Sequence, residues 1–263
     1  MIKILVCLNF IPNVDKLNES DWKCFQLNNK LDFSGVNKIL EPQDESALEL
    51  SLRNKKESDN IFLSALIPKS NNCEVPLRTL LALGYDEVYI MDSIDFEPKI
   101  LYEFLKENPS FDLIVTGSYS SIVGYRHFPI VLSKNLNVPV YTNVFNFQIS
   151  ENEFRIVKKN NQYTVSQNIS LPAILTIGDV PSCFLHVPTL MQRLETKDKP
   201  INVISYEKSN FSNDILDGSE INNLFKDGCL LHEDNSRKVK KIIDKDPSET
   251  ASLIYRDFIR EVK

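Results

Sequence analysis

Between Phe111 and Val140 the chain reads FDLIVTGSYSSIVGYRHFPIVLSKNLNVPV. An apolar run, Leu113 to Thr116, leads into Gly117 and then a polar loop that carries Ser120, Ser121, Gly124, Tyr125, Arg126 and His127. A helical segment follows from Phe128 to about Asn135, and a second apolar run begins at Val138. A strand that feeds a Gly-led loop into a helix aims backbone N–H groups at the space beyond the strand end. In open α/β sheets that space is where nucleotides bind. The stretch therefore predicts a nucleotide-type site over Gly117 to Phe128. A plain strand-to-helix turn has the same signature and stays open as the alternative. Gly117, Ser120 and Ser121 are the candidate donors.

Other chemistry is poorly supported. The five cysteines (Cys7, Cys24, Cys73, Cys183, Cys229) are scattered, no CxxC occurs, and only three histidines are present, so no zinc or iron–sulfur site is expected. Cys7 lies in an apolar run and reads as core, not as a nucleophile. His186 sits in the loop DVPSCFLHVP with no Ser, Cys or carboxylate spaced for a relay, and reads as a contact residue. No paired carboxylates argue for hydrolysis. Seven glycines in 263 residues is well below the usual share of about 7%. Neither GxGxxG nor GxxxxGK[ST] is present, which sets aside an ordinary dinucleotide fold or P-loop enzyme.

Composition narrows the partners. A net charge of −6 and a pI near 5.3 argue against nucleic acid, which needs clustered Lys and Arg. No apolar run reaches the roughly 18 residues of a membrane span. The N-terminal MIKILVCLNFIP reads as a first strand and not a signal peptide. Scattered, unpaired cysteines suit a reduced, cytoplasmic compartment.

The elements that must position the loop alternate. Helices are predicted at 42–57, at Val75–Leu83 with Gly84 as cap, and at Pro98–Glu107; strands at Ile61–Leu66 and Glu87–Met91. This order implies an α/β fold, a mostly parallel open sheet with helices on both faces. Trp22 to Leu27 reads as a short excursion. From Val138 to Ile177, β-type runs broken at Asn152, Asn160 and Asn161 predict a small antiparallel excursion. A loop at Gly178–Val187, a helix at Pro188–Thr196 and a strand at Ile201–Tyr206 close the domain, taken as residues 1–206. Residues 207–263 read as an extended C-terminal arm. It ends in a helix with Asp246 as N-cap, Pro247 and Glu249 behind it, and an apolar stripe at Ala251, Ile254, Phe258 and Val262.

In this order the chain resembles the beta subunit of electron-transfer flavoproteins, the FixA-type family, over nearly its whole length. EPQDESALELSLRNKK is similar to the family's NPFDEYALEEALRLKE, and the Phe111–Pro139 stretch runs without a gap along DLVLTGRQAIDGDTGQVGPMLAELLGLP. LPAILTI, VPTLMQRLETKDKPINV and DPSETASLIYRDFIREV resemble later family motifs. The resemblance implies an adenine-nucleotide-hydrolase-like fold and a partner alpha subunit that mainly carries a redox-active FAD. It implies electron transfer from a dehydrogenase to another acceptor, without catalysis by this chain itself. It also implies AMP, or a second FAD, bound near Cys7, Asn9, Glu41, Leu66, Gly117, Ser120, Ser121, Gly124, Tyr125, Arg126, His127 and Phe128. Phe184, Leu185, His186 and Val187 correspond to a loop that meets the dehydrogenase, and the arm corresponds to one that wraps the alpha subunit.

Several positions depart from the family. Glu41 stands where the family has Asn, Ile67 and Pro129 where it has glycines, His127 where it has Gln, and Ile122, Val123 and Gly124 where it has acidic residues and glycines. A carboxylate near a phosphate is unfavourable unless paired or protonated, and proline donates no N–H. An eroded nucleotide site is expected. Two other functions remain: a universal-stress-like nucleotide-binding module, and a structural pseudo-subunit that binds no nucleotide.

Overall fold

The computed structural model describes residues 1–19, 36–58, 60–69, 74–93, 96–120, 124–150, 153–159, 163–181 and 183–205. The Trp22–Leu27 excursion, Ser121 to Val123, the Asn152, Asn160 and Asn161 turns, and the arm from Glu207 with its Asp246-capped helix lie outside the described residues. So does Tyr206, at the end of the expected last strand.

The apolar first segment divides. Ile2–Cys7 is β1, and after Leu8 and Asn9 the chain turns into β2 (Phe10–Pro12), which pairs antiparallel with β3 (Lys38–Leu40). This small ribbon was not expected. Beyond it α1 (Pro42–Glu57), β4 (Ile61–Pro68), α2 (Glu74–Leu83), β5 (Glu87–Met91), α3 (Pro98–Glu107) and β6 (Leu113–Gly117) follow in the predicted alternation. Gly84 ends α2 with φ of 115°, a backbone state that favours glycine. A two-residue ribbon, β7 (Tyr119–Ser120) with β8 (Gly124–Tyr125), carries the chain from β6 to α4 (Phe128–Leu136).

The later strands are β9 (Val140–Ile149), β10 (Phe154–Lys159), β11 (Thr164–Ile169) and β12 (Ala173–Ile177), then α5 (Leu190–Glu195) and β13 (Asn202–Ile204). Among the described residues nine strands form one sheet, in the order β11-β10-β9-β12-β6-β1-β4-β5-β13. Only β9-β10-β11 is antiparallel; the rest pair in parallel. The α/β class, parallel sheet and antiparallel excursion are as expected.

Side chains alternate across β1. Ile4 and Val6 join a core with Ala47, Leu48, Leu77 and Leu80 from α1 and α2, while Leu5 and Cys7 join a second core with Leu101, Phe104 and Leu132 from α3 and α4. Helices thus cover both faces, as burial of both faces of a parallel sheet requires. Asn54 ties α1 to β9: its amide donates to the carbonyls of Leu50 and Phe147 at 2.9 Å each and accepts from the Ile149 N–H at 2.9 Å.

The strand order places a switch point beside β1. The chain runs outward from β1 through β4 and β5, then crosses back to lay β6 on the other side of β1. Ligands in such sheets bind outside the carboxyl ends of the strands at that reversal. The ends in question are Cys7, Leu66 and Thr116, which are in register with one another.

Candidate functional site

The first turn of α1 faces this crevice. Glu41 precedes it in extended conformation (φ −69°, ψ 145°) and Pro42 opens it, so a proline that lacks an N–H sits where helical N–H groups have no partner anyway. Gln43 and Asp44 then project toward the loop after β6. Asp44 is fully buried and takes four hydrogen bonds. Its Oδ1 accepts from the Gly117 N–H at 2.9 Å and from Arg126 Nη1 at 2.7 Å. Its Oδ2 accepts from the Asn9 N–H at 2.8 Å and from Arg126 Nη2 at 2.7 Å. The pair is a planar fork-on-fork contact, the strongest form of carboxylate–guanidinium recognition.

Arg126 is itself buried. Beyond Asp44 it donates to Thr116 Oγ1 at 3.0 Å and to Glu41 Oε2 at 3.3 Å. Burial works against its charge. The Asp44 carboxylate, the hydrogen bonds to it, and Glu41 outweigh that and hold the guanidinium above its ordinary value. Glu41, which the sequence marked as unfavourable unless paired, is paired. Gln43 completes the closure: its Oε1 accepts from Ser118 Oγ at 2.7 Å and from the Tyr119 N–H at 2.8 Å.

The remaining candidates fall around this cluster. Cys7 and Leu66 are buried in the core shared with α3 and α4, and burial, opposed by the nearby Arg126, pushes the Cys7 thiol up. A protonated, inaccessible thiol is core, as its apolar setting suggested. His127 caps α4 through its carbonyl, which accepts from Ile130 and Val131 N–H at 3.0 and 3.2 Å. Phe128 stacks on Phe96 with ring centroids 4.8 Å apart, and Pro129 is buried. Ile67 belongs to the core formed with α1 and α2. Ser120, Gly124 and Tyr125 lie in the β7–β8 ribbon. The structure therefore brings Asn9, Glu41, Gly117 and Arg126 together. It adds Gln43, Asp44, Thr116 and Ser118, which the sequence had not marked as site residues. Asp44 also lies in the acidic first turn of α1, a placement that suits the helix dipole.

The second candidate, the loop before α5, is pinned along α1. Cys183 Sγ lies 3.9 Å from the Ser46 carbonyl, the Leu185 N–H donates to Glu45 Oε1 at 3.1 Å, and His186 Nδ1 is 3.2 Å from Glu49 Oε2. Glu49 also holds Arg53 at 3.1 Å, so positions 45, 49 and 53 present one stripe at successive turns. Gly178, at the start of this loop, leaves room for the Asn143 side chain, whose Oδ1 would have to move to admit a Cβ there. Leu185 packs against the core and His186 is tied to a carboxylate that is distant in sequence, whereas Phe184 and Val187 are 76% and 79% exposed. Thr189 and Gln192 form a reciprocal capping box that starts α5 at Leu190, two residues later than expected. Leu190, Met191 and Leu194 on α5 are exposed too and extend the apolar tip.

A doubly wound sheet with a closed switch-point crevice and an anchored, apolar-tipped loop is the scaffold of a nucleotide-binding-like interaction subunit. The model of the electron transfer flavoprotein domain matches residues 29–208, and the chain belongs to that family. It is 25% identical over 201 residues to the putative electron transfer flavoprotein subunit YgcR of Escherichia coli, covering 73% of this chain and 77% of that protein. It is 23% identical over 206 residues to the electron transfer flavoprotein subunit beta of Syntrophomonas wolfei, covering 76% and 78%. It is 23% identical over 182 residues to CarD, a subunit of the caffeyl-CoA reductase-Etf complex of Acetobacterium woodii, covering 66% and 68%. An electron-transfer role follows from that membership. Among the described residues, no helix is long and apolar enough to cross a membrane.

Proposed function

We propose that this chain is the beta-type half of a cytoplasmic electron-transfer flavoprotein. It pairs with an alpha-type subunit that carries FAD and relays electrons between a dehydrogenase and another redox partner. The observation that carries this is the family match across residues 29–208, which takes in most of the parallel sheet, the crevice and the apolar-tipped loop. The redox chemistry belongs to the flavin; this chain supplies positioning and a docking surface. Phe184 and Val187, exposed on a loop whose base is fastened to α1, suit contact with the dehydrogenase. Residues 207–263 serve as the arm that wraps the alpha-type subunit.

Co-expression with an alpha-type subunit should give a yellow heterodimer with one FAD. Failure to form a flavin-containing complex would sink the proposal, and two FAD per heterodimer would place a second flavin on this chain. Deleting residues 210–263 should abolish pairing; undiminished pairing would remove the arm from the account. Tight ATP binding by a stable homodimer would favour the universal-stress-like reading instead.

A further inference from the structure

We propose that the switch-point crevice is self-liganded: Arg126, Asp44 and Gln43 fill the place of a bound nucleotide phosphate, and the chain takes neither AMP nor a second FAD there. The naming of AMP and FAD as the excluded ligands rests on the electron-transfer reading; the closure itself does not.

A phosphate at a strand end is held by converging N–H and hydroxyl donors. Five such donors at this crevice, and the Arg126 fork, have internal partners. The N–H groups of Asn9 and Gly117 point at Asp44, and the Ser118 hydroxyl and Tyr119 N–H point at Gln43. The Ser118 N–H donates to the Ile177 carbonyl at 2.9 Å. The guanidinium of Arg126, the one cation among these groups, is forked onto Asp44.

Space is closed as well. A Cβ placed on Gly117 would lie 2.6 Å from Asp44 Oδ1, so the room that a glycine leaves for a ligand holds the carboxylate of α1. On the face covered by α3 and α4, the Phe96–Phe128 stack joins the core that contains Cys7 and Leu66. Charge opposes an anion too: Glu41 and Asp44 with Arg126 leave one negative charge in excess. An incoming phosphate would have to displace Asp44 and strand it unpaired in a dry site.

The test uses the full-length chain, alone and in its flavin-containing complex. Nucleotide released by acid is counted by mass spectrometry, and AMP is titrated by calorimetry and thermal shift. We expect no AMP, a single FAD confined to the complex, and a midpoint shift under about 1 °C at millimolar AMP. Stoichiometric AMP on the wild-type chain, or a second FAD, overturns the proposal. A heterodimer that never forms defeats the electron-transfer reading alone, because the isolated chain still reports on the crevice. Arg126→Gly should lower the midpoint by about 10 °C. Methylguanidinium at about 10 mM should restore part of that loss where methylammonium at equal ionic strength does not, since the vacated site matches a planar fork. Equal effects of the two cations would also count against it. If Arg126→Gly fails to fold, the wild-type nucleotide count still decides.

Discussion

Replacing Gly117 by alanine tests the closest approach in the crevice. The new Cβ would lie 2.6 Å from Asp44 Oδ1 and 3.1 Å from both the Asp44 backbone nitrogen and Gln43 Cβ. The carboxylate cannot simply swing away, because both oxygens are held, by Gly117, Asn9 and two nitrogens of Arg126. The other close atoms are backbone and Cβ of α1, so the helix or the β6 end must move. Losing the charge-assisted Gly117 bond costs about 1.5–3 kcal/mol. Overpacking adds about 1–3 kcal/mol. The reduced entropy of the unfolded chain offsets about 0.4–1 kcal/mol. The net is a loss of about 2–5 kcal/mol, which lowers the thermal midpoint by roughly 5–15 °C in a domain of this size. Circular dichroism melts of Gly117→Ala in the wild-type and Asp44→Ala backgrounds measure it. With Asp44 truncated the Cβ gains room, and the alanine should then cost less than about 1 kcal/mol. A fall of less than about 2 °C in the wild-type background, or an equal cost in both, refutes the close-approach reasoning.

Asn54→Ala removes three buried bonds, two of which link α1 to β9, and should cost about 2–4 kcal/mol in urea unfolding. Asn54→Asp, which keeps only the acceptor for Ile149, should not recover it; an Ala variant within about 0.5 kcal/mol of wild type would show that the bonds carry nothing. Burial pushes the Cys7 and Cys183 thiols above their ordinary value of 9.0. Their folded values therefore exceed the unfolded ones, so their contribution is intact below about pH 9 and is lost as pH rises beyond it. Thermal midpoints should be insensitive to these thiols from pH 7 to 8.5 and fall above pH 9, with a shallower fall in Cys7→Ala. An unchanged slope would reject this assignment, as would alkylation of native Cys7 by iodoacetamide at pH 8.

The alternating elements were legible because their signals are local. Pro42 and Pro98 open α1 and α3, and Gly84 closes α2 where a positive φ is needed. Apolar runs too short for helices became β4, β5 and β6. What local pattern could not give was pairing at a distance. The ribbon between Phe10–Pro12 and Lys38–Leu40 joins segments with no alternation or turn residues to announce them. The start of α5 was misplaced for a different reason: Thr189 and Gln192 are a readable capping box, and Pro188, an ordinary first helical residue, drew the boundary forward. In the loop before α5, apolar Phe184, Leu185 and Val187 look alike in sequence. Only the anchors on Glu45 and Glu49, well over a hundred positions earlier, turn Leu185 inward and leave its neighbours exposed.

At the crevice the donors of the strand–loop–helix stretch meet side chains of the chain itself. Strand, glycine, Ser-rich loop and helix start are the marks of an anion site, and an anion is there: the carboxylate of Asp44. A glycine yields the same close approach whether the anion comes from solution or from a helix packed across the strand end. Two residues, Glu41 and Arg126, are informative only jointly. Glu41 alone suggests a damaged site, and Arg126 alone suggests a phosphate ligand. Together, 85 residues apart, they meet in a buried cluster in which Arg126 is also forked onto Asp44, which neither position's own surroundings reveal. A charge gained at a binding position should therefore be weighed against every opposite charge on the elements that topology brings to the same strand ends. Here that search runs from the first turn of α1 to the residue that precedes the α4 cap, and Arg126 is the basic residue that meets it.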